Sequence, residues 1–329
     1  MTTGKEEFCM KKFTKKYISC FIVACLSMAC CFVSFANDNL PSGEIHENYV
    51  YANLPDPFDP NVQFCEIENG IKDFILTREL GIEVGSEAYV DLMYSFLYGK
   101  IENISDITER YFYDYASVYV VEVQKTLAME SKRAKSNEDK TFDIELKGTI
   151  EEIKQKNSNA VNSMLQVPEN QPTVQSASFN LSKAQAYAQA YAHTWNPVYG
   201  HFSSDCTNFA SQILHAAGMP MVAGRWQYNG NEMARNTWNV AHYFMEYFGS
   251  ERGYAYGGYT TKAQVNANAR PGDFLGYMAN DTNTIWHVCF VQSKSGGKIY
   301  ITQHTRDTYN EKWDNVNIKN PSTYVINRF

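Results

Sequence analysis

One stretch constrains this chain more than any other: Asp205-Cys206-Thr207-Asn208-Phe209-Ala210-Ser211-Gln212-Ile213-Leu214-His215-Ala216-Ala217-Gly218. It reads as a single helix. Asp205 can cap its start and Gly218 can end it. Phe209, Ile213 and Ala217 recur every four residues and make one buried stripe, so the helix must lie on an apolar surface. That surface is written further on. Arg270-Pro271-Gly272-Asp273 is a turn, and Phe274 to Tyr277 a strand. Trp286 to Val291 is a second strand and Lys298 to His304 a third, joined by a hairpin turn over Ser293–Gly297. The C-terminal half therefore reads as a helix packed on an antiparallel sheet.

The same residues suggest a chemistry. Cys206 falls in the first turn of the helix, where unpaired N–H groups and the helix dipole favour a thiolate and offer donors to an oxyanion. A free cysteine is otherwise often a small buried hydrophobe. A cysteine nucleophile needs a base within hydrogen-bond reach, and the base needs an orienting partner. Period-two alternation places His287 and Cys289 on one face of the second strand. His304 can share the face of Thr302 on the third, so the two strands can present His287 and His304 side by side. Asp307 is the rival for the orienting position.

The segment Asp-Cys-Thr-Asn-Phe-Ala-Ser-Gln, preceded by Asn196-Pro197-Val198-Tyr199, resembles the signature of the bacterial putative amidase domain family. That family is similar to the NlpC-type and CHAP-type peptidoglycan hydrolases, with a papain-like α+β fold. The Pro-Gly-Asp strand, the His-Val strand and the Gln-His-Thr strand follow in the same order. The resemblance covers about residue 180 to the C-terminus. It implies Cys206 as nucleophile, His287 as base and a polar residue on the next strand, here His304, as third member. Trp286 departs from the small or acidic residue more usual before the histidine.

Other candidates surround this core. Tyr199 and Ser204 lie just upstream of Cys206 and are candidates for a second oxyanion donor. Trp226 and Tyr228 sit in a Gly-rich and Asn-rich loop and could line a groove by stacking. With Tyr199 and Asp205 they form the expected substrate contacts, although capping is the plainer role of Asp205. Trp238, Ala241, Met245 and Phe248 fall at helical spacing and read as a packing helix. His215 suits a helix C-terminus; His193, His201 and His242 read as structural. No Cys-x-x-Cys or His-Glu-x-x-His pair and no Gly-rich phosphate loop occurs, so neither metal nor cofactor is expected. Cys289 reads as core, and a bond between Cys65 and Cys289 is conceivable.

The start of the chain has a different character. Lys11, Lys12, Lys15 and Lys16 precede an uncharged run from Tyr17 to Ala36 that ends Ser34-Phe35-Ala36, the pattern of an export signal. Cleavage after Ala36 is expected; an uncleaved anchor, or a lipoprotein at Ile22-Val23-Ala24-Cys25, is the alternative. Five of the eight cysteines lie in this segment, which leaves Cys65, Cys206 and Cys289 and rules out a disulfide scaffold. The net charge is −7. Loss of residues 1–36 removes five lysines and two glutamates, leaving 24 basic against 34 acidic side chains, a net −10. That sign argues against nucleic acid and against charge-driven adhesion to anionic walls or lipid. Membrane contact is expected only if the segment stays.

Residues 37–63 read as an extended leader and 64–165 as a separate α+β domain carrying no chemical motif, a spacer or docking module. Its rival reading is a prodomain-like shield. Tyr89, Leu92, Met93, Phe96 and Leu97 have helical spacing; Tyr111 to Val123 could be strand or buried helix; Ser131–Lys140 is a charged loop; Phe142, Ile144 and Leu146 alternate as a strand. Residues 166–180 read as a linker, Ser182 as the cap of a following helix, and 181–329 as the papain-like domain. The resulting expectation is a secreted or envelope-bound cysteine amidase or peptidase acting on peptidoglycan peptides through Cys206, His287 and His304. A catalytically silent wall-binding or peptide-binding module of the same fold, and an acyl transferase, are the alternatives.

Overall fold

The computed structural model describes residues 54–130, 141–165, 179–228, 237–318 and 322–329. The export segment, the leader up to residue 53, the 131–140 loop, linker residues 166–178, Asn229 and Gly230 lie outside the described residues. All described residues belong to one unit, Ile45–Phe329.

Six strands form one antiparallel sheet: β1 (Ala255–Tyr259), β2 (Phe274–Ala279), β3 (Thr284–Ser295), β4 (Lys298–Gln303), β5 (Thr308–Lys312) and β6 (Ser322–Asn327). Their spatial order is β1-β6-β2-β3-β4-β5. β2 and β6 are buried along their whole length, and the sheet separates two apolar cores. On one face Leu275, Tyr277, Trp286, Cys289, Val291, Ile301 and Ile326 pack with α1 (Phe64–Thr77), α2 (Glu87–Leu97) and α3 (Asp106–Glu130). On the other, Phe274, Met278, Ile285, Val288, Phe290 and Val325 pack with α5 (Leu181–Tyr191), α6 (Cys206–Ala216) and α7 (Ala241–Glu246). Period-two alternation along β2 and β6 divides their residues between the two cores. The remaining helices are α4 (Ile150–Leu165) and α8 (Lys262–Asn268).

The structure is α+β, but its first half differs from expectation. Residues 64–165 hold the four helices α1–α4, not an α+β module. Tyr111–Val123 lies in α3, where burial on nearly every side erases the one-sided pattern that marks a helix. Phe142, Ile144 and Leu146 belong to no strand; the nearest pairings are isolated bridges, Ser86 with Thr141 and Gln63 with Thr149. Nor is this half separate. Helices α1–α3 supply one apolar layer of the sheet, α4 adds Val161 and Met164 to the other, and polar contacts tie the two halves together. Arg110 makes a bidentate pair with Asp281 (2.7 and 2.9 Å), and the Tyr113 hydroxyl meets Ser322 Oγ at 2.7 Å. α5 is capped by Asn180, whose side chain accepts from Lys183 N–H, not by Ser182. Among the described residues no helix is long and apolar enough to cross a membrane.

Candidate active site

The register of β3 and β4 decides which side chains meet. Next to the Gly296–Gly297 turn, Ser295 faces Lys298 and Ser293 faces Tyr300. Continued without interruption, that register would set His304 opposite Cys289 on the face of His287. A bulge between Val291 and Ser293 shifts the pairing by one residue, so that Phe290 faces Thr302. Gln303 then takes the position opposite Cys289. A one-residue slip turns every later side chain to the other face.

Gln303 is accordingly the partner of His287. Its Oε1 lies 2.9 Å from His287 Nε2, while its Nε2 donates to Arg306 O at 3.3 Å. With the Gln303 amide fixed that way round, Oε1 accepts and His287 carries its proton on Nε2. The lone pair is on Nδ1, where the Tyr98 hydroxyl donates at 3.5 Å. The ring stacks on Tyr277 at 5.0 Å. His287 is wholly buried, and burial drives its pKa down to about 4 against the bond to Gln303. It is a neutral imidazole at neutral pH.

His304 serves elsewhere. The strand ends at Gln303, and Thr305 adopts φ 76°. His304 turns to the α6 side, where it stacks on Phe209 at 3.7 Å. Its Nδ1 lies 2.6 Å from Asp205 Oδ2 and its Nε2 2.8 Å from Tyr191 O. Both nitrogens face acceptors, so both carry protons and the ring is an imidazolium. Burial opposes that charge, but the Asp205 carboxylate and the Tyr191 carbonyl outweigh it and the pKa rises. Asp205 also accepts from Asn208 Nδ2 at 2.8 Å and makes no side-chain cap bond. Its expected capping role passes to Thr305, whose Oγ1 accepts the N–H groups of Asp205 (3.0 Å) and Cys206 (3.1 Å). Asp307 is exposed and is not the orienter.

Cys206 opens α6 and is 1% exposed. Burial pushes its pKa up; the Thr207 hydroxyl at 3.5 Å and the N–H groups of Val288 and Thr207 pull the other way. The expected thiolate is thus overridden by desolvation, and the resting group is a thiol. Among the described residues no hydrogen bond joins Sγ to the His287 ring; the link is the Val288 N–H, one residue beyond His287. Gln124 of α3 approaches from the opposite layer, its Nε2 3.8 Å from Sγ and 3.0 Å from Trp286 O, while Ala241 N–H donates to its Oε1 at 2.8 Å. The Tyr94 hydroxyl meets Ser204 Oγ beside it. Gln124, Tyr94 and Tyr98 were invisible to motif reading because they come from the half without a motif. Gln303 stood next to the expected residue, hidden by the bulge.

Of the expected substrate contacts, Trp226 is fully buried core, its Nε1 donating to Ser211 Oγ at 3.0 Å. Tyr199 and Tyr228 are half-buried and meet edge to face at 4.9 Å, and the Tyr228 hydroxyl accepts Gly200 N–H. They brace the loop before Cys206. Trp286, the departure from the family pattern, is the bulged residue of β3 and packs edge-on against Tyr98 and Tyr277. Cys65 and Cys289 are both free, so they do not pair. Cys289 lies under the Tyr277 hydroxyl, and burial lifts its pKa to about 12. His215 Nδ1 meets Met219 O, and His242 Nδ1 accepts Ile285 N–H. Among the described residues no cluster of His, Cys, Asp or Glu could hold a metal.

Residues 178–326 match the family model described as a putative amidase domain. This part of the chain belongs to that family. The amidase domain therefore contains α5–α8, the whole sheet, Cys206, His287 and Gln303, while Tyr94, Tyr98 and Gln124 come from outside it. The chain is also similar to "Uncharacterized protein YhbB" of Bacillus subtilis (strain 168), 29% identical over 135 residues, 40% of this chain and 42% of that protein. The match thus spans about two fifths of the relative's length. No solved structure matches the chain.

Proposed function

We propose that the chain is an exported cysteine amidase or peptidase of papain-like type, acting on amide bonds of peptidoglycan peptides. The observation that carries the reading is the His287–Gln303 pair. It leaves the basic nitrogen of a neutral imidazole on the residue next to Val288, whose N–H contacts the thiol at the start of α6. A thiol and a neutral imidazole suit general-base activation rather than a standing ion pair. His287 Nδ1 takes the Sγ proton as sulfur bonds to the carbonyl carbon. The carbonyl electrons move onto oxygen, and this oxyanion is held by Thr207 N–H and Gln124 Nε2–H, which both face the sulfur. Cys206 N–H is committed to Thr305 and is not counted. The oxyanion collapses, the C–N bond breaks, and His287 gives the proton to the leaving amine. Water, deprotonated by His287, then adds to the thioester carbonyl; the C–S bond breaks, the carboxylic acid leaves, and His287 returns the proton to Sγ. Each aligned donor to the oxyanion is worth roughly 10²-fold in rate.

Support for amide chemistry comes from the amidase domain; the wall peptide as substrate, and export, rest on the resemblance and the cationic, apolar N-terminus. The test is hydrolysis of peptidoglycan and of model peptide amides by the purified chain and by Cys206→Ala. Loss of released amine in the variant is expected. Full activity without the thiol would end the reading, and wall sedimentation without hydrolysis by the intact chain would favour a binding module.

A further inference from the structure

The residues that the proposed reaction needs are closed off. Cys206 is 1% exposed, His287 0% and Gln124 1%. No substrate carbonyl can approach Sγ in this arrangement. From the α2 side the site is met by Tyr94 and Tyr98, 7% and 4% exposed. They sit four residues apart at the C-terminal end of α2, on one helical face, with rings 6.4 Å apart. Their hydroxyls are spent on the site. Tyr94 bonds Ser204, two residues before the nucleophile, and Tyr98 bonds His287 Nδ1, the nitrogen that must accept the thiol proton.

From these contacts we infer that the end of α2 is a gate, with Tyr98 as the plug that occupies the base and must swing away before the thiol can be used. The inference rests on the reading of Cys206 and His287 as nucleophile and base. The local backbone suits such a movement. Tyr98 ends the helix, and Gly99 follows at φ 56°, a left-handed position that side chains adopt only with strain. The connection from Gly99 to α3 is held from outside by three exposed bonds. Asn317 Nδ2 donates to Gly99 O at 3.3 Å, and Arg78 donates to Glu102 O (2.9 Å) and Asn103 O (2.8 Å). Exposed bonds are weak holds, and their loss frees the turn without touching the site. α3 and Gln124 stay in place when the gate moves, because Gln124 is fixed to both Trp286 O and Ala241 N–H.

The chain carries its own reference thiols. Cys65 is exposed, and Cys289 is buried on β3 beneath Tyr277. The native full chain is treated with iodoacetamide, and alkylation at each cysteine is timed by peptide mass spectrometry. Cys206 should react about 100-fold more slowly than Cys65, as for a site open only in a minor state. In Tyr98→Ala and in Asn317→Ala, Cys206 should speed up about 10-fold while Cys289 does not change. Three results overturn the gate: wild-type Cys206 reacting as fast as Cys65, neither variant accelerating Cys206, or Cys289 accelerating in step with it, which reports unfolding. The labelling needs no turnover. A chain that hydrolyses amides with a freely reactive Cys206 loses the gate and keeps the proposed function; a gated thiol with no hydrolysis does the reverse.

Discussion

Replacing Gln303 by leucine isolates the orienting role that the structure gives it. The side chain is 1% exposed and its volume is largely kept. Two bonds go: the acceptor of His287 Nε2–H at 2.9 Å and the donor to Arg306 O at 3.3 Å. An unpaired, fully buried ring N–H costs about 1–3 kcal/mol, and the longer bond about 1 kcal/mol. Apolar burial of leucine returns part of that, so urea unfolding should show a loss of about 2–3 kcal/mol. Catalysis should fall further than stability requires. Without Oε1 the proton is free to move to Nδ1, which removes the lone pair that the proposed proton transfer uses. A loss of about 100-fold in kcat, equivalent to about 2.7 kcal/mol of barrier, is expected with KM little changed. Gln303→Glu supplies the contrast. A carboxylate beside Nε2 favours imidazolium, so the acid limb of the rate profile should move to higher pH from its position near the His287 pKa of about 4. Hydrolysis of a fluorogenic peptide amide across pH, with folded fraction checked at each point, gives both numbers. Gln303→Leu keeping kcat within about 2-fold while His304→Gln loses it would refute the assignment.

Three more outcomes follow from the same contacts. His287, lowered in the fold, binds fewer protons there than in the unfolded chain. Its contribution to stability is intact above pH 6.5 and is lost as pH falls toward 4, by about 3 kcal/mol in all, measurable as the urea midpoint against pH. His304 works with the opposite sign: its raised pKa gives stability that is complete below the unfolded value and lost as pH rises through the folded one. His304→Ala should therefore lower stability by about 3 kcal/mol at pH 6, by leaving Asp205 buried and unpaired, and by less at pH 9. Thr305→Val strips the acceptor from the N–H groups of Asp205 and Cys206; calorimetry should show a loss of about 2 kcal/mol, with the Cys206 alkylation profile moved.

Much of the amidase half was legible because its signals are local. The stripe of Phe209, Ile213 and Ala217, repeating every four residues, marked α6 as packed on a sheet, and turn residues bounded β2 to β4. What sequence reading missed depended on something longer in range or finer in register. The bulge at Val291/Ser293 exchanged His304 for Gln303 without a mark in the sequence, since Gln292 and Ser293 are ordinary strand residues. α3 hid its period because it is buried nearly all round. The shared core was illegible because an apolar helix does not name its partner layer. The thiol state of Cys206 was misjudged for a related reason: the helix start was visible, but the helices that bury it were not.

The central claim is that Cys206 carries the acyl group with His287 as its base. The most direct test is acid-quenched turnover of a peptide ester or amide, followed by peptide mass spectrometry of the full chain. A thioester on Cys206 is predicted, present in the wild type and much reduced in His287→Ala. An acyl group on any other residue, or sustained hydrolysis by Cys206→Ala, would contradict it.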